Sequence, residues 1–396
     1  MSKVVVLNLP EHGHMNATYP VVAELARRGE RVIYYATEPY RGRVEGAGAE
    51  YRSYGDTALF QAPAHKGGLY SVMAWEIGLA ERILPSLLAE LRELSPDYLL
   101  IDSMCVWGHL ISRILPIPAA MMASVFVPDD RVISSDDLVG QGYGNAPKEV
   151  ILAGIDALNT YLQISQRIDR QYGTECPNIA QFFAGRQNLN IVFTSRYFHF
   201  DGERFDDSYH FVGPTLEPSE PARGGQPLVY IAMGTVFNEL PDFYRLCYEA
   251  LGGGPYAVVL AAGSKTDLSA LGPAPANFTV SESVVQADVL RSASLFLSHA
   301  GMNSVNEALW NETPMLLFPQ HGDQHLVAAR VEQLGAGIVL RPGDLEASRL
   351  RSVVENAMED PRLREGARRV AESLRAAGGY RRAADEIMRW RCQASA

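Results

Sequence analysis

Continuous apolar runs recur along this chain, and several pass through a short polar turn directly into a stretch of helical periodicity. Val4-Val5-Val6-Leu7 and Leu295-Phe296-Leu297 are the clearest. A strand that is apolar at every position has no solvent face, so helices must cover both sides of its sheet, as in parallel α/β folds. The first run leads to a helix expected from about Asn16 to Arg28, striped by Val21, Val22 and Leu25, with Gly29 as its C-cap. A strand from Val32 to Ala36 follows, then a helix from Trp75 to Leu94, a break at Pro96-Asp97, and a strand from Tyr98 to Ile101. Strand-helix-strand alternation of this kind predicts a parallel sheet with right-handed crossovers.

At 396 residues the chain is too long for one ordinary core, and two domains are expected. Strands at Val229–Met233, Ala257–Ala261, Leu295–Ser298 and Met315–Pro319 repeat the architecture in the second half. Between the halves, GPTLEPSEPARGGQP reads as a linker rich in proline and glycine. The predicted division is 1–212, a linker at 213–227, and 228–396, with the last helix packing back on the first domain. The two domains are expected to face each other across a cleft at their strand ends. Phe126 to Arg186, with its turn-rich pieces and a helical pattern from Val150 to Tyr172, reads as an insertion roofing a pocket.

A net charge of -11 argues against nucleic acid or anionic membrane as partners, because either needs a basic face. No apolar run approaches the length of a membrane span, and the chain enters a strand at once without a leader-like segment. Cys105, Cys176, Cys247 and Cys392 are far apart and form no metal spacing, so reduced thiols and a cytoplasmic location are expected. The sequence says nothing of oligomeric state.

The strand Leu295–Ser298 runs into His299-Ala300-Gly301 before a helix near Asn303. Backbone N–H groups, a helix dipole and a small residue at the end of a parallel strand favour a phosphate. A plain strand-to-helix turn, capped by Asn303 or Ser304, fits the same residues. Asp323-Gln324, on a loop after another strand, has the chemistry to engage adjacent hydroxyls of a polyol. In the first half, Glu11-His12-Gly13-His14-Met15-Asn16 ends the first strand and Asp102 ends Tyr98–Ile101. A histidine there is a candidate base, a metal ligand lacking a nearby third partner, or a polar turn residue. Asp102 is a candidate partner carboxylate or a simple cap.

HAGMNSVNEAL resembles the HxGxNSxxE signature of the nucleotide-sugar glycosyltransferases of GT-B fold, two Rossmann-like α/β domains. It is most similar to the bacterial macrolide and natural-product glucosyltransferases. The resemblance implies that His299 touches the α-phosphate, that Gly301, Asn303 and Ser304 hold the diphosphate, and that Glu307 accepts the ribose hydroxyls. Gly234 and Thr235 fall on the family's phosphate-contacting turn, and Asp323 and Gln324 on its sugar-binding pair. In SESVVQADVL, Gln286 matches the base-cradling segment, while Ser283 stands where a stacking tryptophan is usual and Val285 replaces a proline. Gly13-His14-Met15-Asn16 resembles GHxNP, with Ala17 in place of the proline, and PDYLLID resembles PDxxxxD.

The function so implied is inverting transfer of a hexose, expected to be glucose from UDP-glucose, to a hydroxyl of a small apolar acceptor. His14 would be the base and Asp102 its partner, with no metal or further cofactor required. A deoxysugar would leave the polar pair unsatisfied at about 1–3 kcal/mol per group, which favours a fully hydroxylated donor. The rivals are a TDP-deoxysugar transferase and a sugar-nucleotide epimerase or hydrolase of the same fold. A pyridoxal-dependent phosphorylase needs a Schiff-base lysine, and Lys265 is the only lysine of the second half. A non-catalytic sugar-nucleotide binder would have no need of His14 and Asp102.

Overall fold

The computed structural model describes residues 2–61, 68–130, 147–217, 221–222, 224–235, 238–320 and 322–394. They form two compact units that are not contiguous in sequence. Unit 1 is Met1–Phe193, Arg204–Thr215 and Tyr380–Ala396, and unit 2 is Thr194–Glu203 and Leu216–Gly379. Residues 131–146, part of the expected insertion, and His321 lie outside the described residues.

Unit 1 holds seven parallel strands: β1 (Lys3–Leu7), β2 (Arg31–Ala36), β3 (Glu50–Ser53), β4 (Tyr98–Asp102), β5 (Ala119–Ala123), β6 (Leu189–Val192) and β7 (Tyr209–Phe211). Their order is β3-β2-β1-β4-β5-β6-β7. The apolar run of β1 is used on both faces: Val5 and Leu7 join the core on one side, Val4 and Val6 the core on the other. That is the physical reason for the unbroken run. Helices α1 (His12–Arg27), α2 (Arg41–Gly46), α3 (Gly68–Leu94), α4 (Val106–Ile114), α5 (Lys148–Tyr172) and α6 (Ile179–Ala184) complete the crossovers. Gly29, at φ +94, follows α1 in the positive-φ backbone expected of its C-cap region. One boundary differs. The helix was expected from Asn16 but begins at His12, because the carbonyl of Glu11 accepts from both His14 N and Met15 N. His14 therefore stands on the first helical turn and not in a loop.

Helix α5, in the expected insertion, lays Tyr161, Ile164 and Ile168 against the core that α3 shares. A fork of two hydrogen bonds from Arg167 to Glu81 ties it to α3 at 2.6 and 2.9 Å.

Unit 2 has β8 (Leu228–Ala232), β9 (Ala257–Ala261), β10 (Phe278–Ser281), β11 (Leu295–Ser298), β12 (Met315–Leu317) and β13 (Gly337–Val339), again all parallel, in the order β10-β9-β8-β11-β12-β13. Its helices are α7 (Pro241–Leu251), α8 (Gln286–Ser292), α9 (Met302–Trp310), α10 (Gln324–Gln333), α11 (Ala347–Glu359) and α12 (Pro361–Ala376). The final helix, α13 (Gly379–Ala394), returns to unit 1, where Tyr380, Ala383, Ala384 and Ile387 enter the core. Arg391 pairs with the buried Glu30, and Arg28 bonds Asp385 at 2.5 Å.

Each sheet reverses its strand order once, between β1 and β4 in unit 1 and between β8 and β11 in unit 2. Such switch points open a crevice at the carboxyl ends of the strands, where α/β folds bind ligands. His14 and Asp102 lie at the first, and Gly234 and His299 at the second.

Candidate active site

In unit 1, β1 and β4 pair with Leu7 opposite Ile101. The chain leaving β1 turns at once into α1, and β4 ends on Asp102. This brings His14 Nδ1 to 3.0 Å from Asp102 Oδ2. Asp102 is fully buried and its other oxygen, Oδ1, accepts the amide of Met104 at 3.0 Å. A carboxylate on Nδ1 selects the tautomer that carries its proton there and leaves the Nε2 lone pair as the basic site. Ser124 Oγ, at the end of β5, stands 3.3 Å from the same Nδ1.

Behind this pair lies a histidine that the sequence reading passed over. His109 Nε2 is 3.1 Å from the main-chain oxygen of Asp102 and 3.2 Å from that of Ser103, while Gln187 Nε2 donates to its Nδ1 at 3.0 Å. The Gln187 donor fixes the tautomer, so Nε2–H holds the turn that follows Asp102. Burial pushes the His109 imidazole down to about 4, against the pull of the Ser103 and Asp102 carbonyls, and keeps it neutral. Gly185 is obligatory here. A Cβ at that position would fall 2.7 Å from Ser103 O and 2.9 Å from His109 Nε2.

In unit 2, the strand β11 enters the turn His299-Ala300-Gly301. Ala300 takes a φ of +68, an uncommon conformation for a residue with a side chain, steadied by its amide bond to Ser298 Oγ at 3.2 Å. Gly301 is the N-cap of α9 and no side chain caps that end, so neither Asn303 nor Ser304 is the cap. The imidazole of His299 occupies the space over two glycines: a Cβ at Gly234 would come within 2.6 Å of Nε2, and one at Gly301 within 2.4 Å. The ring bonds the Ala232 carbonyl, and Nδ1 has no partner among the described residues. Close packing pushes its pKa down to about 4, the Ala232 bond opposing. Thr235, exposed, follows Gly234. Asn238, also missed from sequence, donates to Gly234 O at 2.9 Å and so braces the turn against the imidazole.

One turn further along α9, Gln286 Nε2 donates to Glu307 Oε2 at 2.8 Å and to Ser304 Oγ at 3.2 Å. Tyr230 donates its hydroxyl to Gln286 Oε1 at 3.2 Å. Burial pushes the Glu307 carboxyl up, and the Gln286 hydrogen bond opposes it. Gln286, Ser304 and Glu307 thus form one cluster, with Asn303 on the adjoining first turn of α9. Asp323 takes the N-cap position of α10 and Gln324 follows, its Oε1 accepting Gln320 N at 2.8 Å. Ser283 is exposed and Val285 is 68% exposed. Among the described residues, no group of three or more His, Cys, Asp or Glu is placed to hold a metal ion.

Residues 256–383 match the family model of the erythromycin biosynthesis protein CIII-like C-terminal domain. Over the full length, the chain is 32% identical to the NDP-glycosyltransferase YjiC of Bacillus licheniformis, covering 97% of this chain and 96% of that one. The chain belongs to the UDP-glycosyltransferase family. The enzyme is also 30% identical to a UDP-glucosyltransferase of Bacillus subtilis, YojK, over 98% of its own length and 97% of that protein. Among solved structures it is similar to CalG4, the calicheamicin glycosyltransferase, with a TM-score of 0.84, 29% identity and full coverage of both chains. The glycosyltransferase therefore has the GT-B fold. Among its described residues, no helix is long and apolar enough to cross a membrane.

Proposed function

We propose that the enzyme transfers glucose from UDP-glucose to a hydroxyl of a small apolar natural product, a phenol or a macrolide, with inversion at the anomeric carbon. The observation that carries this reading is the 3.0 Å contact between His14 Nδ1 and the buried Asp102. In this reading unit 1 supplies the base and unit 2 holds the donor. His14 Nε2 takes the acceptor proton while the oxygen attacks opposite the diphosphate, and Asp102 stabilises the imidazolium that forms. An α-linked donor then gives a β-glycoside in one displacement. Charge gathering on the departing diphosphate meets His299 and the N-terminus of α9, so the leaving group is stabilised without a divalent metal.

Gly234 and Thr235 with Gly301, Asn303 and Ser304 hold the phosphates; Glu307 takes the ribose hydroxyls and Gln286 the base edge. Asp323 and Gln324 take the sugar hydroxyls, which favours glucose over a deoxysugar. An intracellular site of action accords with this donor. One observation favours a second reading of the nucleotide. Exposed Ser283 offers no aromatic face to the base, and a thymidine diphosphate donor would meet the same surface. The test is to offer UDP-glucose and TDP-glucose with a panel of phenols and macrolides and to read products by mass spectrometry. Hexosides from UDP-glucose support the reading. Free glucose or an epimer with no acceptor product would show hydrolase or epimerase chemistry instead.

A further inference from the structure

The side chain of Gln286, at the start of α8, bonds three neighbours from β8 and α9, and only one orientation of its amide satisfies them all. Nε2 carries two protons, given to Glu307 Oε2 at 2.8 Å and to Ser304 Oγ at 3.2 Å. Oε1 accepts the hydroxyl of Tyr230 at 3.2 Å. A rotated amide would set Oε1 against the Glu307 carboxylate and its N–H against the phenol, whose own proton would go unspent. Tyr230 is 1% exposed and its ring stacks on Phe296 with centroids 4.7 Å apart, so the hydroxyl is held in place. Gln286, Ser304 and Glu307 are only half-buried. The tyrosine thus works from the core of unit 2, through one amide, on two side chains that stay open to a ligand.

That orientation sets the polarity of both. Glu307, bound through Oε2, keeps Oε1 to accept, and Ser304, accepting at Oγ, keeps its own proton to donate. A ribose hydroxyl needs the first and a phosphate oxygen the second. A rotated amide would draw the Ser304 proton inward and repel the carboxylate. Phenylalanine would stack on Phe296 as well as tyrosine does, so packing leaves the buried hydroxyl unexplained. We propose that Tyr230 is a positioning residue for the nucleotide, whose hydroxyl orients the Gln286 amide so that Glu307 selects a ribonucleoside over a 2′-deoxyribonucleoside. This rests on the donor reading above and deepens it. Thymidine differs from uridine by its missing 2′-hydroxyl as well as by its methyl group, so the held carboxylate, and not the surface under the base, tells the two apart.

UDP and 2′-deoxy-UDP share base and diphosphate, so the ratio of their affinities isolates the hydroxyl. Calorimetric titration gives that ratio for wild type, Tyr230→Phe, Gln286→Leu, the double variant and Glu307→Ala, with melting temperature confirming that each is folded. The wild type should prefer UDP by about tenfold or more. Tyr230→Phe, which keeps the stacked ring, should lose most of that preference, as should Gln286→Leu and Glu307→Ala. The double variant should lose no more than Gln286→Leu alone, because the hydroxyl acts only through that amide. A loss of thermal stability alone would leave the ratio unmoved. If Glu307→Ala loses the preference while Tyr230→Phe keeps it, or if the two single losses add in the double variant, the proposal is overturned and the ribose role of Glu307 stands. Equal binding of both nucleotides by the wild type, or an unchanged ratio in Glu307→Ala, would refute that role and the proposal with it. The expected ratios without any glycoside from the acceptor panel would refute transfer and leave the role of Tyr230 intact.

Discussion

The glycines around His299 are fixed by the imidazole itself. Gly234 also has φ +79, so a side chain there is both crowded and strained. Gly234→Ala and Gly301→Ala should each weaken UDP binding roughly 10- to 100-fold, equivalent to about 1.4–2.8 kcal/mol, with a smaller effect on melting temperature. Titration calorimetry reads this directly, and unchanged affinity in both variants would remove the imidazole from the phosphate subsite. The ring also makes a pH prediction. Its pKa is about 4 in the free enzyme, so it is neutral at pH 7. A diphosphate favours its protonated form. Donor binding above pH 4 should then take up a proton, and affinity should fall as pH rises through the higher pKa of the complex. Calorimetry in two buffers of different ionisation enthalpy measures the uptake, and identical apparent enthalpies would contradict it.

At the scale of elements, two placements decide how much chemistry the fold delivers. Helix α9 begins on Gly301, leaving the end of a buried strand with a backbone turn and no side-chain cap. Helix α13 belongs to unit 1 although it follows unit 2 in sequence. Ile387 is fully buried in the core beside β1, which leads into the helix of His14, and β4, which ends on Asp102. Ile387→Ala should destabilise the protein by about 2–5 kcal/mol, and melting of unit 1 should respond before UDP protection of unit 2 is lost. Calorimetry with and without UDP separates the two. The strands that the sequence announced were those with apolar runs, β1, β2, β4, β8, β9, β11 and β12. Others were harder to read for physical reasons. β5 is Ala-Ala-Met-Met-Ala, without a β-branched residue, and β6 carries the buried Asn190, whose amide serves the neighbouring loop. β13 is three residues long and opens on a glycine.

At the scale of the whole molecule, the acid limb of stability is set by histidines kept neutral inside. His109 and His199 are both buried and both pushed by desolvation to about 4. Folding favours their neutral form, so the stability they permit is complete above the unfolded pKa near 6.5 and is lost as pH falls toward 4. Each contributes up to about 3 kcal/mol to that loss. Urea denaturation between pH 7 and 4 should show the slope, and His109→Gln should reduce it. Of the site, the family signature made the donor residues legible because they are local in sequence. Ser124, His109 and Asn238 were not: Ser124 meets His14 from 110 residues away, while His109 and Asn238 bond nearby backbone carbonyls that no motif marks.

Transfer in this enzyme depends on His14 as the base. Its most direct test is the turnover of His14→Ala with UDP-glucose and a phenol that the wild type glucosylates, measured alongside UDP affinity. The expected result is a fall in turnover of roughly 10²–10⁴-fold with UDP affinity unchanged. Near-normal turnover in that variant would contradict it.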